Sequence, residues 1–121
     1  MSEFLRRGSC RWRRDRHIEN RIWLNSDFRV RIIKRGIQKA GSINNLGRVL
    51  GYRSRVHPGW SIRQILLGKQ AFPYERLKAL SEFLEVPIEE MLKHRTNPKQ
   101  ITLESTRKAL QDNGLLYYLP R

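Results

Sequence analysis

Apolar residues recur along this chain in short stripes at helical spacing, separated by glycine, proline and small polar residues. Phe28, Ile32, Ile33 and Ile37 fall near one side of a 3.6-residue period, with Arg29, Arg31, Lys34 and Arg35 elsewhere on the cylinder. A helix is therefore expected over residues 27–39, with Ser26 or Asp27 as its N-cap and Ala40-Gly41 at its end. Ser42 caps a second stripe, Ile43, Leu46, Val49 and Leu50. Gly47 lies inside that helix, where it costs about 1 kcal/mol relative to Ala. Close approach of a crossing helix is one use for that cost. Gly51 closes the helix, and residues 52–58 form a loop. Pro58 stands just ahead of a third helix that starts near Gly59 or Trp60, because a missing N–H is harmless there. Ile62, Ile65 and Leu66 face inward, and Gly68 stops it.

The same punctuation continues towards the C-terminus. Pro73 opens a fourth helix from Tyr74 to about Glu85, with Leu77, Leu80, Phe83 and Leu84 on one face. Val86-Pro87 breaks it, and Ile88, Met91 and Leu92 make a short fifth helix. A sixth runs from Thr102 to Asp112, and Asn113-Gly114 ends it. Residues 21–24 and the apolar tail, residues 115–119, read as two short strands that could pair. Residues 1–19 show no period and read as a basic arm: Arg6, Arg7, Arg11, Arg13, Arg14 and Arg16 surround Trp12. The expected organisation is an arm (1–19), a helical domain (20–95), and a C-terminal helix and tail (96–121) that packs on the domain or mediates contacts.

Charge changes the picture. The 121 residues carry 25 Lys and Arg against 11 Asp and Glu, a net charge of +14. The excess is +3 over residues 1–27, +10 over residues 28–74 and +1 over residues 75–121. The middle stretch contains no acid at all. A solvated face normally mixes both signs, since a single-sign field destabilises the compact state. A face for a polyanion explains the bias better, because each neutralised phosphate releases counterions.

Other function classes lose support. No apolar run has the length of a membrane span, and the N-terminus lacks a secretory signal pattern. The single cysteine, Cys10, forms no internal disulfide, and a reducing cytoplasm is the expected home. His17, His57 and His94 are far apart, and no metal-ligand spacing surrounds them. Glu82, Glu85, Glu89 and Glu90 read as a solvated helix face, and Met91 as core. No metal, cofactor, small-molecule substrate or enzymatic activity is expected.

Within this order of helices, residues 42–92 resemble the Cro and lambda-repressor class of helix-turn-helix domain, also called the Xre class. The resemblance lies in residues 46–52, Leu-Gly-Arg-Val-Leu-Gly-Tyr, and in residues 61–69, Ser-Ile-Arg-Gln-Ile-Leu-Leu-Gly-Lys. Residues 73–80 and 84–92 resemble the closing helices. Two departures stand out. Gly47 replaces the usual Ala, and residues 53–58 lengthen the connection before the third helix. The fold that the resemblance implies is all-α, a compact five- to six-helix bundle of lambda-repressor-like type. It also implies that the third helix enters a DNA major groove with Trp60, Ser61, Arg63 and Gln64 outward.

Chemistry agrees with that set. Arg bonds guanine O6 and N7 together, and Gln does the same for adenine N6 and N7. Arg53, Arg55 and His57 on the loop, and Lys69 and Gln70 after the helix, suit phosphates. Ser42 would present helix N–H groups to another phosphate, and the arm could reach a minor groove. Taken alone, Trp60 reads more readily as a partly buried core residue than as a base-stacking platform. The expected function is a sequence-selective duplex-DNA-binding transcriptional regulator. The alternative is a structural RNA-binding protein, such as a small ribosome-associated one, which the Arg-rich arm and long loop would suit. Self-association into a homodimer through the tail, residues 115–119, is a further expected contact.

Overall fold

The computed structural model describes residues 20–119. The basic arm, with Arg6, Arg7, Arg11, Arg13, Arg14 and Arg16, and with Cys10, Trp12 and His17, lies outside the described residues. Among the described residues six α-helices follow one another: α1 (Ser26–Ala40), α2 (Ile43–Val49), α3 (Trp60–Leu66), α4 (Tyr74–Leu84), α5 (Ile88–Leu92) and α6 (Leu103–Asp112). Two two-residue strands, β1 (Arg21–Ile22) and β2 (Phe72–Pro73), and two 3-10 turns, Pro98–Gln100 and Leu116–Tyr118, complete the order. The protein is thus mostly helical with one small antiparallel strand pair.

Local chemistry sets the helix ends. The N-cap of α1 is Asn25, whose side chain accepts from the Phe28 N–H; Ser26 and Asp27 already lie within the helix. Asparagine's short carbonyl reaches the orphan N–H as serine or aspartate would. Ser42 caps α2, accepting from Asn45 N–H at 3.0 Å. Thr102 and Ser105 form a reciprocal capping box at the start of α6. α4 ends with Glu85 itself in the left-handed region, φ 58°, ahead of Val86-Pro87.

The strand pairing differs from the sequence expectation. β1 pairs with β2, Arg21 opposite Pro73 and Ile22 opposite Phe72, and Leu24 bridges to Arg95. The tail is no strand: Leu115 is buried and residues 116–118 turn as a 3-10 helix. Local bonds hold the tail instead: Leu115 N–H donates to Leu110 O, and the N–H groups of Tyr118 and Leu119 donate to the Leu115 and Leu116 carbonyls, which carries the chain on from α6 as a turn.

One core serves all the helices. α1 packs against α2, α3, α4 and α6. Val30, Ile33, Leu46, Ile62, Leu66, Leu77, Leu80 and Met91 are essentially sealed, and Ala109, Leu110 and Leu115 bring α6 and the following turn into the same cluster. Phe72, in β2, is buried in the same cluster. This burial supplies the main drive for helices too short to be stable alone.

A buried arginine lies at the centre of this arrangement. Arg29, expected on the polar side of α1, is only 2% exposed. Its Nη1 donates to Leu24 O at 3.0 Å, its Nη2 to Thr106 Oγ1 at 3.0 Å and its Nε to Leu66 O at 3.4 Å. Burial pulls its pKa down to about 10. The planar fork therefore ties together the start of the domain, the end of α3 and the middle of α6.

Candidate nucleic-acid interface

The interface builds from the junction of α2 and α3. Gly47 faces the backbone of Pro58: a Cβ there would lie 2.1 Å from the Pro58 oxygen. Across the same junction, a Cβ on Gly59 would lie 2.7 Å from the Ile43 oxygen. Two glycines thus let the chain entering α3 rest directly on α2. The close approach expected from Gly47 exists, though its partner is the entry to α3 and not a helix flank. Asn44 Oδ1 accepts from Gly59 N–H at 3.0 Å and pins the contact.

The long connection is folded back by its own hydrogen bonds. Tyr52 N–H donates to Gly47 O, His57 N–H to Ser54 Oγ at 3.1 Å, and Trp60 N–H to His57 O. Arg53, Arg55 and His57 remain exposed. Arg53 and His57 join Tyr52, Ser54, Pro58, Trp60 and Ser61 around a depression of about 310 Å³.

On α3, Ile62, Ile65 and Leu66 are buried, as the sequence spacing requires. Trp60 and Arg63 are exposed, Ser61 and Gln64 half-buried. Trp60 is 58% exposed, so the partly buried core reading is wrong for it. Trp60 and Arg63 are three residues apart and therefore share one side of the helix. Arg63 Nη2 donates to Tyr118 O at 3.3 Å, and its guanidinium carbon lies 6.0 Å from the Tyr118 ring centre. The C-terminal turn thus lies alongside α3, which sequence reasoning missed. The expected pairing of this segment with residues 21–24 had placed it elsewhere.

Lys69 and Gln70 do not join the loop cations. They line a second depression of about 700 Å³ with Asn20, Arg21, Trp23, Tyr52, Ala71, Pro73, Tyr74, Glu75 and Arg76. Tyr52 borders both depressions. Its ring carries the Arg76 guanidinium at 4.7 Å, and Arg76 Nη1 donates to Leu50 O at 3.1 Å. The Tyr52 hydroxyl is buried with no hydrogen-bond partner among the described residues. Burial pushes its pKa up, opposed by Arg76. Ser42 spends its hydroxyl on capping α2, a helix of two turns, and lies on no shared surface with Lys69 and Gln70 in either depression.

Ten cations lie between Asp27 and Glu75 in sequence, and Arg29 alone of them is buried. Lys39 is directed to α4, donating to Phe83 O and lying 4.8 Å from the Phe83 ring centre. Arg48 donates to Asn45 Oδ1 at 2.9 Å. Two ion pairs join described residues, Lys93–Glu90 at 2.9 Å and Lys108–Asp112 at 3.7 Å, and neither uses a cation of this stretch. Among the described residues no cluster of three His, Cys, Asp or Glu side chains could hold a metal ion. No helix there is long and apolar enough to cross a membrane. His94 stacks on Phe28, ring centres 3.9 Å apart, and serves packing.

The chain matches no protein-family model, and neither a curated protein nor a solved structure is significantly similar to it.

Proposed function

We propose that the protein binds nucleic acid through α3 and the loop before it, as a sequence-selective duplex-DNA-binding regulator of the Cro and lambda-repressor kind. One observation carries the reading. Residues 28–74 place nine cations at the surface, and none of them has a carboxylate partner among the described residues. Unpaired single-sign charge weakens a fold by self-repulsion, so it fits a surface that meets a polyanion. The helix order and the glycine-mediated contact of α2 with the entry to α3 support a helix-turn-helix use of that charge. Arg63 and Gln64 then supply base-edge donors and acceptors.

Replacing both residues tests this. The Arg63→Ala, Gln64→Ala variant is compared with the parent on a selected duplex site and on random duplex. The reading expects the ratio of the two affinities to fall by about tenfold or more. An unchanged ratio would sink sequence recognition by α3.

A second reading is binding to structured RNA. It is favoured by the exposed Trp60 beside Arg53 and His57, since an indole next to cations suits an unpaired base. Cosedimentation with ribosomal subunits through a salt wash separates the two readings; absence from both subunits removes the ribosomal version.

A further inference from the structure

Tyr117 is 73% exposed, the largest exposure of any large apolar side chain in the described chain. Its position is nevertheless fixed. Leu115 is buried in the core, and its N–H donates to Leu110 O at 2.8 Å. The turn then closes through Tyr118 N–H to Leu115 O and Leu119 N–H to Leu116 O, both at 3.0 Å. Tyr118 accepts from Arg63, and the Tyr117 ring stacks on Tyr118 with centres 4.7 Å apart and planes 30° apart. Trp60 lies one helical turn from Arg63 on the same side of α3. An indole, a guanidinium and two phenols therefore share the side of α3 along which the turn runs.

Tyr117 is thus an exposed ring stacked on a neighbour that itself lies against the Arg63 guanidinium, and its outer face is open for stacking. A base inside a duplex has both faces covered by its neighbours, and only an unpaired base offers one. The exposed cations Arg53 and Arg55 on the loop before α3, and Lys69 after it, have no carboxylate partner among the described residues and favour a phosphate-bearing partner over an apolar protein surface. We infer that Tyr117, stacked on Tyr118 in the C-terminal turn that Arg63 holds, is a stacking platform for an unpaired base next to the segment that α3 contacts. This rests on the nucleic-acid reading above and adds the class of substrate, a duplex flanked by a single-stranded stretch.

The test measures binding of the full chain to a blunt DNA duplex and to the same duplex with a short single-stranded overhang. The Tyr117 ring is 73% exposed and outside the core, so Tyr117→Ala is expected to keep the fold, which circular dichroism checks. The parent is expected to prefer the overhang duplex by about tenfold, in the range that base–aromatic stacking provides. Tyr117→Ala should lose that preference with blunt-duplex affinity unchanged, and Tyr117→Phe should keep it. Equal affinity of the parent for both duplexes overturns the platform and leaves the nucleic-acid reading standing. An equal loss on both duplexes in Tyr117→Ala also overturns it. Binding to neither duplex overturns both. Light scattering covers the remaining occupant: a dimer that Tyr117→Ala dissociates would assign the ring to a second copy and overturn the proposal.

Discussion

Arg29 on α1 donates through Nη2 to Thr106 Oγ1 on α6 at 3.0 Å, a bond that spans most of the described chain. The same guanidinium satisfies Leu24 O and Leu66 O. Arg29→Ala would leave a buried cavity and buried acceptors without their donor. Each unsatisfied group costs about 1–3 kcal/mol, so with three acceptors a loss of at least about 3 kcal/mol is expected. Arg29→Lys should recover only part of it, because an ammonium cannot fork between three separated acceptors. Urea denaturation measures the loss. Amide exchange should show α6 losing more protection than α4, since α6 carries the bond. Equal effects on the two helices would refute the tie.

Gly47 gives a second test, with opposite local and tertiary effects. In an isolated helix Gly47→Ala would gain about 1 kcal/mol. Here the added methyl would meet the Pro58 carbonyl at 2.1 Å, and backbone cannot swing aside as a side chain can. Overpacking of this sort costs about 1–3 kcal/mol, so the variant should be net destabilised. It should also weaken nucleic-acid binding, because α3 must shift relative to α2. A stabilised variant would mean that the contact is looser than the geometry gives.

Tyr52 links stability to alkaline pH. Its hydroxyl is buried and unpartnered among the described residues, and burial raises its pKa above the ordinary 10. The unfolded chain loses this proton first as pH rises. Tyr52 thus contributes stability that is full below about pH 10 and is lost as pH rises through the folded value. Tyr118, also raised by burial with Tyr117 adding to it, acts in the same direction. Tyr52→Phe should be neutral or more stable by about 1 kcal/mol at neutral pH, since an unpaired buried hydroxyl is removed. Its decline above pH 10 should be shallower than the parent's, with the Tyr118 share remaining. Urea midpoints across pH 8 to 11 would read both effects; a steeper decline in the variant would contradict the assignment.

Helix positions were legible because three or four apolar residues per stripe must share a side, and caps such as Ser42 and Thr102 are local chemistry. The stripe of α1 also contained Arg29, four residues before Ile33 and seven before Gly36, all three buried. Its charge argued for the surface, and the carbonyls that accept its bonds are invisible in sequence. The β1–β2 pairing was hidden for another reason: two residues carry no alternation, and Phe72-Pro73 reads as the lead-in to a helix. Of the candidate surface, the exposure of Arg53, Arg55, His57 and Arg63 followed from position and charge, whereas the indole of Trp60 argued for the core and lies 58% exposed. The turn beside Arg63 was missed because its place depends on how α6 docks, a tertiary fact with no local signal.

The acid-free stretch makes a final quantitative claim. Arg53, Arg55 and Lys69 are exposed and have no carboxylate partner among the described residues, so each can displace one condensed counterion from DNA. On duplex DNA the slope of log affinity against log salt should fall in magnitude by about 0.9 for each of them that contacts a phosphate and is replaced by Ala. Lys93 and Lys108 already face Glu90 and Asp112, and their replacement should leave the slope unchanged. Arg29→Met is the sharper control. It removes one positive charge from the same stretch, yet that charge is buried and bonded to neutral acceptors. Its slope should match the parent's if placement governs binding. A slope that falls equally for Arg29, Lys93 and Arg55 would show that net charge alone drives association and that α3 and its loop are no special face.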